Sequence, residues 1–168
     1  MTRIVLSLMM ILGLVAAAPP RNQPAAAPAP SASAFAAAVA GGNQFEIDSS
    51  KMALLRSNSK LVKAFAERMI DDHRVADGKF KHALAEAKLP PPPAKLSAEH
   101  RAVLADLKSK KAAAFDKVYI EAQYTAHVET VDLFKAYAEA GDNARLQFFA
   151  QEMLPTLQSH LDQVGKMR

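Results

Sequence analysis

Four ionisable side chains stand in apolar stripes of the sequence, one in each of four helical segments: Glu46, His73, His127 and His160. A rotation of about 100° per residue places each of them on the apolar side of its helix. Burying such groups costs several kcal/mol unless they find partners. We therefore expect the four side chains to meet in the core, as a metal site or as a hydrogen-bonded cluster.

Three imidazoles and one carboxylate suit a single Zn, Cu, Ni or Fe ion. A carboxylate-bridged pair of iron ions instead needs a Glu-x-x-His pair on each of two helices, plus two more carboxylates. Ser49 stands three residues after Glu46, and Tyr124 stands three residues before His127, so neither position gives such a pair. The predicted cofactor is one divalent transition-metal ion.

Four further polar residues are predicted to contact the ligands without binding the ion themselves: Asp72, Asp116, Tyr119 and Gln123. In the alternative interpretation no metal is bound. The histidines are then neutral and share hydrogen bonds with Glu46, Gln123, Tyr119 and Asp72, and the network fixes the register of the helices. The two remaining histidines, His82 and His100, lie on lysine-rich faces and are expected to contact only water.

The helices that carry these residues follow from apolar periodicity and turn residues. We predict four helical segments, at about residues 33–57, 59–88, 97–140 and 143–166. The third is long for a small bundle and is expected to break near Ser109–Lys111. Pro90–Pro93 end the second segment because proline lacks the amide donor. An up-down-up-down order brings the turns near Asn58 and Gly141 to one end, about 18–27 Å from all four site residues.

Composition predicts an all-α protein, since half of the 168 residues are hydrophobic, only 7% are aromatic and Trp is absent. The absence of Cys excludes lipoprotein attachment, disulfides, covalent c-type haem and thiol catalysis. The formal net charge is +4, and the Lys and Arg residues alternate along the helices with Asp and Glu. This pattern is typical of a solvated surface and not of a nucleic-acid-binding face. With 6 glycines and no nucleophile motif, the sequence predicts no catalytic residues and no nucleotide-binding loop.

The first residues have the pattern of a secretory signal, with Arg3 followed by the apolar run Ile4–Val15 and small residues. We expect a cleaved signal peptide at residues 1–17, although an uncleaved anchor is an alternative. A disordered Ala/Pro linker should follow at residues 18–32, and a single domain at residues 33–168. The mature chain is then periplasmic or secreted and has no transmembrane segment.

Four stretches cover nearly all of that domain: GGNQFEIDSSKMAL, KAFAERMIDDH, AAAFDKVYIEAQYTAH and FFAQEMLPTLQSHL. In them the sequence resembles exported bacterial proteins of the ferritin-like superfamily labelled domain of unknown function four-one-four-two. The resemblance implies a four-helix bundle in the periplasm or outer-membrane fraction, with no established activity. It places eight residues at the family's motif positions: Glu46, Asp72, His73, Asp116, Tyr119, His127, Pro155 and His160. The family often has a Gly before the Phe-Asp of the third helix, where this chain has Ala112–Ala114.

The sequence thus predicts an exported, ferritin-like, up-and-down four-helix bundle that binds a metal ion through its central Glu/His layer. The alternative is a structural or interaction protein of the cell envelope, related to stress, whose polar layer only specifies the fold. A third interpretation is an oxidoreductase that uses a redox metal, although the sequence favours a protein that is not an enzyme. The partner is left open between an envelope protein and a second copy of the chain.

Overall fold

Five helices and no strand make up residues 29–168, the part of the chain that this computed structural model describes. The helices are α1 (Ala32–Arg56), α2 (Lys60–Glu86), α3 (Ala98–Ser109), α4 (Ala112–Ala140) and α5 (Ala144–Gly165). The all-α prediction is confirmed for these residues. The predicted signal peptide, residues 1–17, and most of the predicted linker, residues 18–32, lie outside the described residues.

Polar side chains set the ends of the helices. Ser31, Ser59, Ser97 and Asn143 each accept a hydrogen bond from a backbone amide in the first turn of the following helix. α2 ends in a Schellman motif. The amide of Leu89 donates to the carbonyl of residue 84, and the amide of residue 88 donates to the carbonyl of residue 85. These caps explain why the predicted boundaries agree with the structure to within a few residues.

The four long helices form a ring in which α1 packs on α2 and α4, and α5 packs on α4 and α2. The short helix α3 lies outside this ring, against α1 and α4. Two apolar clusters fill the interior. One surrounds Phe35, Phe134 and Phe149, and the other surrounds Phe65 and Phe115. On α2, α4 and α5 the site histidines stand between the residues of these two clusters, so the polar layer separates two apolar halves.

The predicted up-down-up-down order is wrong, because α4 runs in the same direction as α2. Residue pairs give the directions: α2 and α5 are antiparallel through Arg68–Gln163 and Lys79–Glu152, and α1 and α4 are antiparallel through Glu46–His127 and Ser50–Tyr119. The turns near Asn58 and Gly141 therefore lie at opposite ends of the bundle.

The physical reason is the long connection between α2 and α4, which carries the chain back along the outside of the bundle. α3 runs parallel to α1, since His100 stacks on Phe45 and the backbone of Lys110 contacts Arg56. The predicted break near Ser109–Lys111 is present, but it reverses the chain instead of bending a helix. Lys110 and Lys111 are extended, and Ala112 has a φ of 48°, a conformation that glycine adopts without strain.

The Pro90–Pro93 segment ends α2 as predicted and begins this connection. It continues across α1 at close range: a Cβ atom added to Gly41 would lie 2.6 Å from the carbonyl oxygen of Lys95. Pro155 lies within α5, where it removes one helical hydrogen bond. Of the helices formed by residues 29–168, none combines the length and the apolar character needed to cross a membrane.

Candidate metal centre

The four predicted site residues lie on four different helices of the ring, and all four are buried. Glu46 comes from α1, His73 from α2, His127 from α4 and His160 from α5. Their exposed fractions are 5%, 8%, 1% and 1%, respectively. Each of the four helices thus contributes one ionisable side chain to the interior, as its spacing in the sequence predicts, and Ser49, Ser50 and Gln123 are buried polar residues beside them.

The three histidines form a cluster that we call the histidine triad: His73, His127 and His160. One ring nitrogen of each histidine lies within 4.8 Å of the corresponding nitrogens of the other two. The ring centroids are 5.4 Å apart for His127 and His160, 5.8 Å for His73 and His160, and 6.1 Å for His73 and His127. No other group of three potential ligands is this close among the residues that the structure describes.

Every ring of the triad donates one hydrogen bond to an oxygen atom. The three bonds are each 2.8 Å long and join His73 Nδ1 to Asn43 Oδ1, His127 Nδ1 to the backbone carbonyl of Gln123, and His160 Nε2 to Asp72 Oδ2. Because the acceptor is an oxygen in each case, the bonded nitrogen carries the proton. The other nitrogen then holds a free lone pair.

Those other nitrogens are His73 Nε2, His127 Nε2 and His160 Nδ1, and none has a hydrogen-bond partner within residues 29–168. Burial lowers the pKa of His73 well below its usual value, and the neighbouring imidazoles lower it further. Burial also lowers the pKa of His160 to about 4, against the opposing effect of Asp72. These two rings are neutral at pH 7, which is the state that binds metals.

The triad has the donor chemistry of a metal site in a geometry that is slightly open. Bonds of about 2.0–2.1 Å to one tetrahedral ion place neighbouring nitrogens about 3.3–3.4 Å apart. The observed limit of 4.8 Å therefore requires the rings to move inward by about an ångström. In metal sites a histidine binds the ion through one ring nitrogen and donates the N–H of the other to an oxygen acceptor. Each ring of the triad has such an acceptor.

Glu46 lies beside the triad but outside its group of nitrogens. Its Oε1 is 3.9 Å from Nδ1 of His127, the nitrogen that already donates to the Gln123 carbonyl. Its Oε2 has no hydrogen-bond partner in the described part of the chain. Burial raises the pKa of Glu46, and His127 and Gln123 partly oppose this effect. A proton on this carboxyl is therefore easier to retain than on an exposed one.

The four predicted supporting residues differ in what they contact. Asp72 bonds His160 through its side chain, and Gln123 bonds His127 through its backbone carbonyl, while its amide donates to Ser49 Oγ over 3.1 Å. Tyr119 is further away and bonds Ser50 Oγ over 2.8 Å. Asp116 lies three helical turns before His127 and so is not a neighbour of the triad.

Two supporting residues were missed at the level of sequence. Asn43 holds His73, and a signal was available, because Asn43 lies three residues before Glu46 and shares its face of α1. Arg68 bonds Asp72 at 3.2 Å and extends across to Gln163 at 2.6 Å. Although partial burial raises the pKa of Asp72, hydrogen bonds from His160 and Arg68 lower it overall. Asp72 is thus a charged acceptor held between the triad and solvent.

The prediction that His82 and His100 contact only water is wrong for His100. His82 is exposed, with 77% of its side-chain surface accessible, and its Nε2 lies 3.8 Å from Oε1 of Glu86. His100 instead stacks on Phe45, with ring centroids 4.3 Å apart and planes 11° from parallel. The cause is the position of α3 against α1, which covers a face of α3 that was expected to be solvated.

A family model described as domain of unknown function DUF4142 matches residues 17–167. Among curated proteins, none matches the sequence.

Three solved structures share the fold. A DUF305 fragment from Deinococcus radiodurans has a TM-score of 0.71 and 17% identity, over 84% of this chain and 97% of that one. A DUF305 protein from Streptomyces coelicolor, described as a candidate secreted protein, has a TM-score of 0.66 and 16% identity, over 79% and 87%. CopM in its Cu(II)-bound form has a TM-score of 0.69 and 17% identity, over 83% and 96%. At these identities the likeness extends to the fold alone.

Proposed function

The chain belongs to the DUF4142 family, a domain of unknown function, and from this premise we propose that it binds one transition-metal ion through the histidine triad. The observation that supports the proposal is the arrangement of six ring nitrogens. Three are held by oxygen acceptors, and the other three are buried and without partners within residues 29–168, on rings that each bring one nitrogen within 4.8 Å of the others. Buried polar atoms are seldom left unpaired, and a shared ligand accounts for all three at once.

Imidazole donors suit Zn, Cu, Ni and Fe, and copper is our first candidate. The similar structure of CopM was solved in a Cu(II)-bound form, which makes copper the first ion to test here. In this proposal Glu46 lowers the cost of burying the positive ion. It bonds the ion itself only if its side chain turns from Nδ1 of His127 toward the unpartnered nitrogens of the triad.

We also propose that the protein acts outside the cytoplasm. Residues 1–17 would be removed as a signal peptide, residues 18–32 would form the linker, and residues 33–168 would form the ferritin-like metal-binding domain. The supports are the apolar run Ile4–Val15 behind Arg3 and the candidate secreted protein among the similar structures. A periplasmic and a secreted location both agree with this proposal. The family resemblance adds an association with the outer membrane as a further proposal.

The second candidate function is a structural or interaction protein of the envelope whose polar layer only fixes the fold. It is favoured by the hydrogen bonds that each ring already makes and by the further bond between Gln123 and Ser49. It leaves three buried nitrogens without a role, and for that reason we rank it second.

Metal content of the purified protein distinguishes the two candidates. The full chain, exported and purified without a histidine tag, is dialysed against Cu(II) or Zn(II) and then against buffer, and its metal is measured by mass spectrometry. We expect about one ion per chain in the wild type and none in the double variant His73→Ala, His160→Ala. His82→Ala is the matched control, because it removes an exposed histidine from the same helix as His73.

Circular dichroism establishes that each variant is folded before its metal content is compared. A folded wild type that retains neither ion contradicts metal binding and supports the structural candidate. Equal metal content in the wild type and in the folded double variant places the ion elsewhere and contradicts the triad.

A further inference from the structure

A cavity of about 60 Å³ lies beside the triad and has no role in the proposal so far. His73 and His160 form part of its wall, so a molecule inside it would be next to an ion that the triad holds. Most of the remaining wall is apolar and includes Phe80, Phe134, Phe149, Met153 and Leu157. The cavity therefore joins two of the three histidines of the triad, together with their acceptors Asn43 and Asp72, to an apolar space.

The size of the cavity limits what can occupy it. A cavity of about 150 Å³ holds benzene or xenon, and in the same measure a single water needs about 10–15 Å³. The cavity beside the triad is less than half the size of the former and about four to six times the latter. It suits a molecule of a few heavy atoms better than a large organic one.

The charges around the cavity limit the occupant further. Its ionisable wall residues, apart from the two histidines, are Glu46, Asp72 and Asp77, and the described wall contains no Lys or Arg. The cations that pair with these aspartates, Arg68 and Lys81, are not part of the wall. The three carboxyl groups of the wall work against an anion, in opposition to the attraction of an ion in the triad, and the apolar side chains that make up most of the wall offer no hydrogen bonds to a strongly polar molecule.

We propose that this cavity receives a small uncharged diatomic molecule, of the class of dioxygen, nitric oxide or carbon monoxide, as an additional ligand of the bound ion. The inference rests on the proposed function, because it needs the ion in the triad. Three nitrogen donors leave one position of a four-coordinate ion open. A cavity walled by two of the three donor residues is where a ligand in that position would lie.

Carbon monoxide on the Cu(I) protein is the probe. The full chain is loaded anaerobically with one equivalent of Cu(I), its copper content is measured, and the C–O stretching band is followed by infrared spectroscopy during titration with CO. We expect one CO per bound copper in the wild type. Ala76→Leu and Thr130→Leu fill the cavity from α2 and α4, respectively, and should each weaken CO binding per bound copper about tenfold or more.

Ala85→Leu is the matched control, because Ala85 is exposed on the same helix as Ala76 and does not line the cavity. It should bind CO as the wild type does. Azide, an anion of comparable size, should leave the absorption spectrum of the Cu(II) wild type unchanged. This arm needs no variant, so it decides the charge argument even if the cavity-filling variants do not fold.

The outcomes separate this inference from the proposed function. Bound copper without a CO band overturns the inference and leaves metal binding intact. A protein that binds no copper overturns both. Unaltered CO binding in a folded Ala76→Leu or Thr130→Leu variant shows that the ligand lies outside the cavity, and azide binding shows that the cavity admits anions, so either result overturns the inference as well.

Discussion

Replacing His127 with leucine is predicted to stabilise the metal-free protein. His127 is 1% exposed, and its Nε2 has no partner within residues 29–168, a situation that costs about 1–3 kcal/mol. The substitution removes the bond from Nδ1 to the Gln123 carbonyl, worth about 0.5–1.5 kcal/mol. That carbonyl is not orphaned, because it can still accept the helical bond from the amide of residue 127. Leucine also adds apolar burial of about 1 kcal/mol.

The balance is a gain of about 2 kcal/mol in the free energy of unfolding, which urea denaturation of the chelator-treated protein measures. With metal present the order reverses. An ion at about 100 times its Kd stabilises the wild type by about 2.7 kcal/mol, and the variant lacks one of the three ligands. His82→Leu changes an exposed histidine on α2 and should leave both measurements within about 0.5 kcal/mol of the wild type.

A metal-free His127→Leu protein that is less stable than the wild type by 1 kcal/mol or more would refute this reasoning. It would mean that the imidazole contributes more to the folded state through its contacts than its unpaired nitrogen costs. The polar layer would then be a structural network, as in the second candidate function.

Three further predictions follow from the contacts of the site and the backbone. Asp72→Asn weakens the acceptor of His160 and should lower metal affinity about 10–100-fold in a competition titration, with the fold unchanged. The metal-free protein should lose stability as the pH falls from about 6.5 toward 4, because His73 and His160 bind protons in the unfolded chain before they do so in the folded one. The raised pKa of Glu46 has the opposite effect on stability, but it is one group against two. Denaturation midpoints that rise on acidification would contradict the prediction. Lys88→Gly should raise the free energy of unfolding by about 1 kcal/mol, since Lys88 has a φ of 56° at the end of α2, and an unchanged thermal midpoint would count against this.

The helices could be predicted closely because their signals are local. Serine caps, a proline run and the spacing of phenylalanines depend on a few neighbouring residues each, and the structure reproduces them. The direction of α4 could not be predicted in the same way. Whether the chain reverses or continues at Lys110–Lys111 depends on where α3 packs, and α3 is held by contacts such as that of His100 with Phe45, 55 residues distant in sequence order.

The predicted level of Glu46, His73 and His127 held despite the wrong topology, and the reason is geometric. His73 stands at the centre of α2, and Glu46 and His127 lie within two residues of the centres of α1 and α4. A residue at the middle of a rod keeps its height when the rod is inverted. Reversing α4 therefore left His127 opposite His73, whereas a residue near either end would have moved through most of the length of the bundle.

The same argument explains which parts of the site were missed. The helical face and approximate height of a residue follow from its sequence position, but hydrogen-bond partners depend on the neighbouring helix and on side-chain rotamers. Asn43 reaches His73 from α1, whereas the acceptor of His127 is a backbone carbonyl of its own helix. Periodicity does not distinguish between these two kinds of acceptor. Yet these acceptors decide which nitrogen of each ring holds a free lone pair, so the metal hypothesis gains its support from contacts that the sequence pattern alone does not determine.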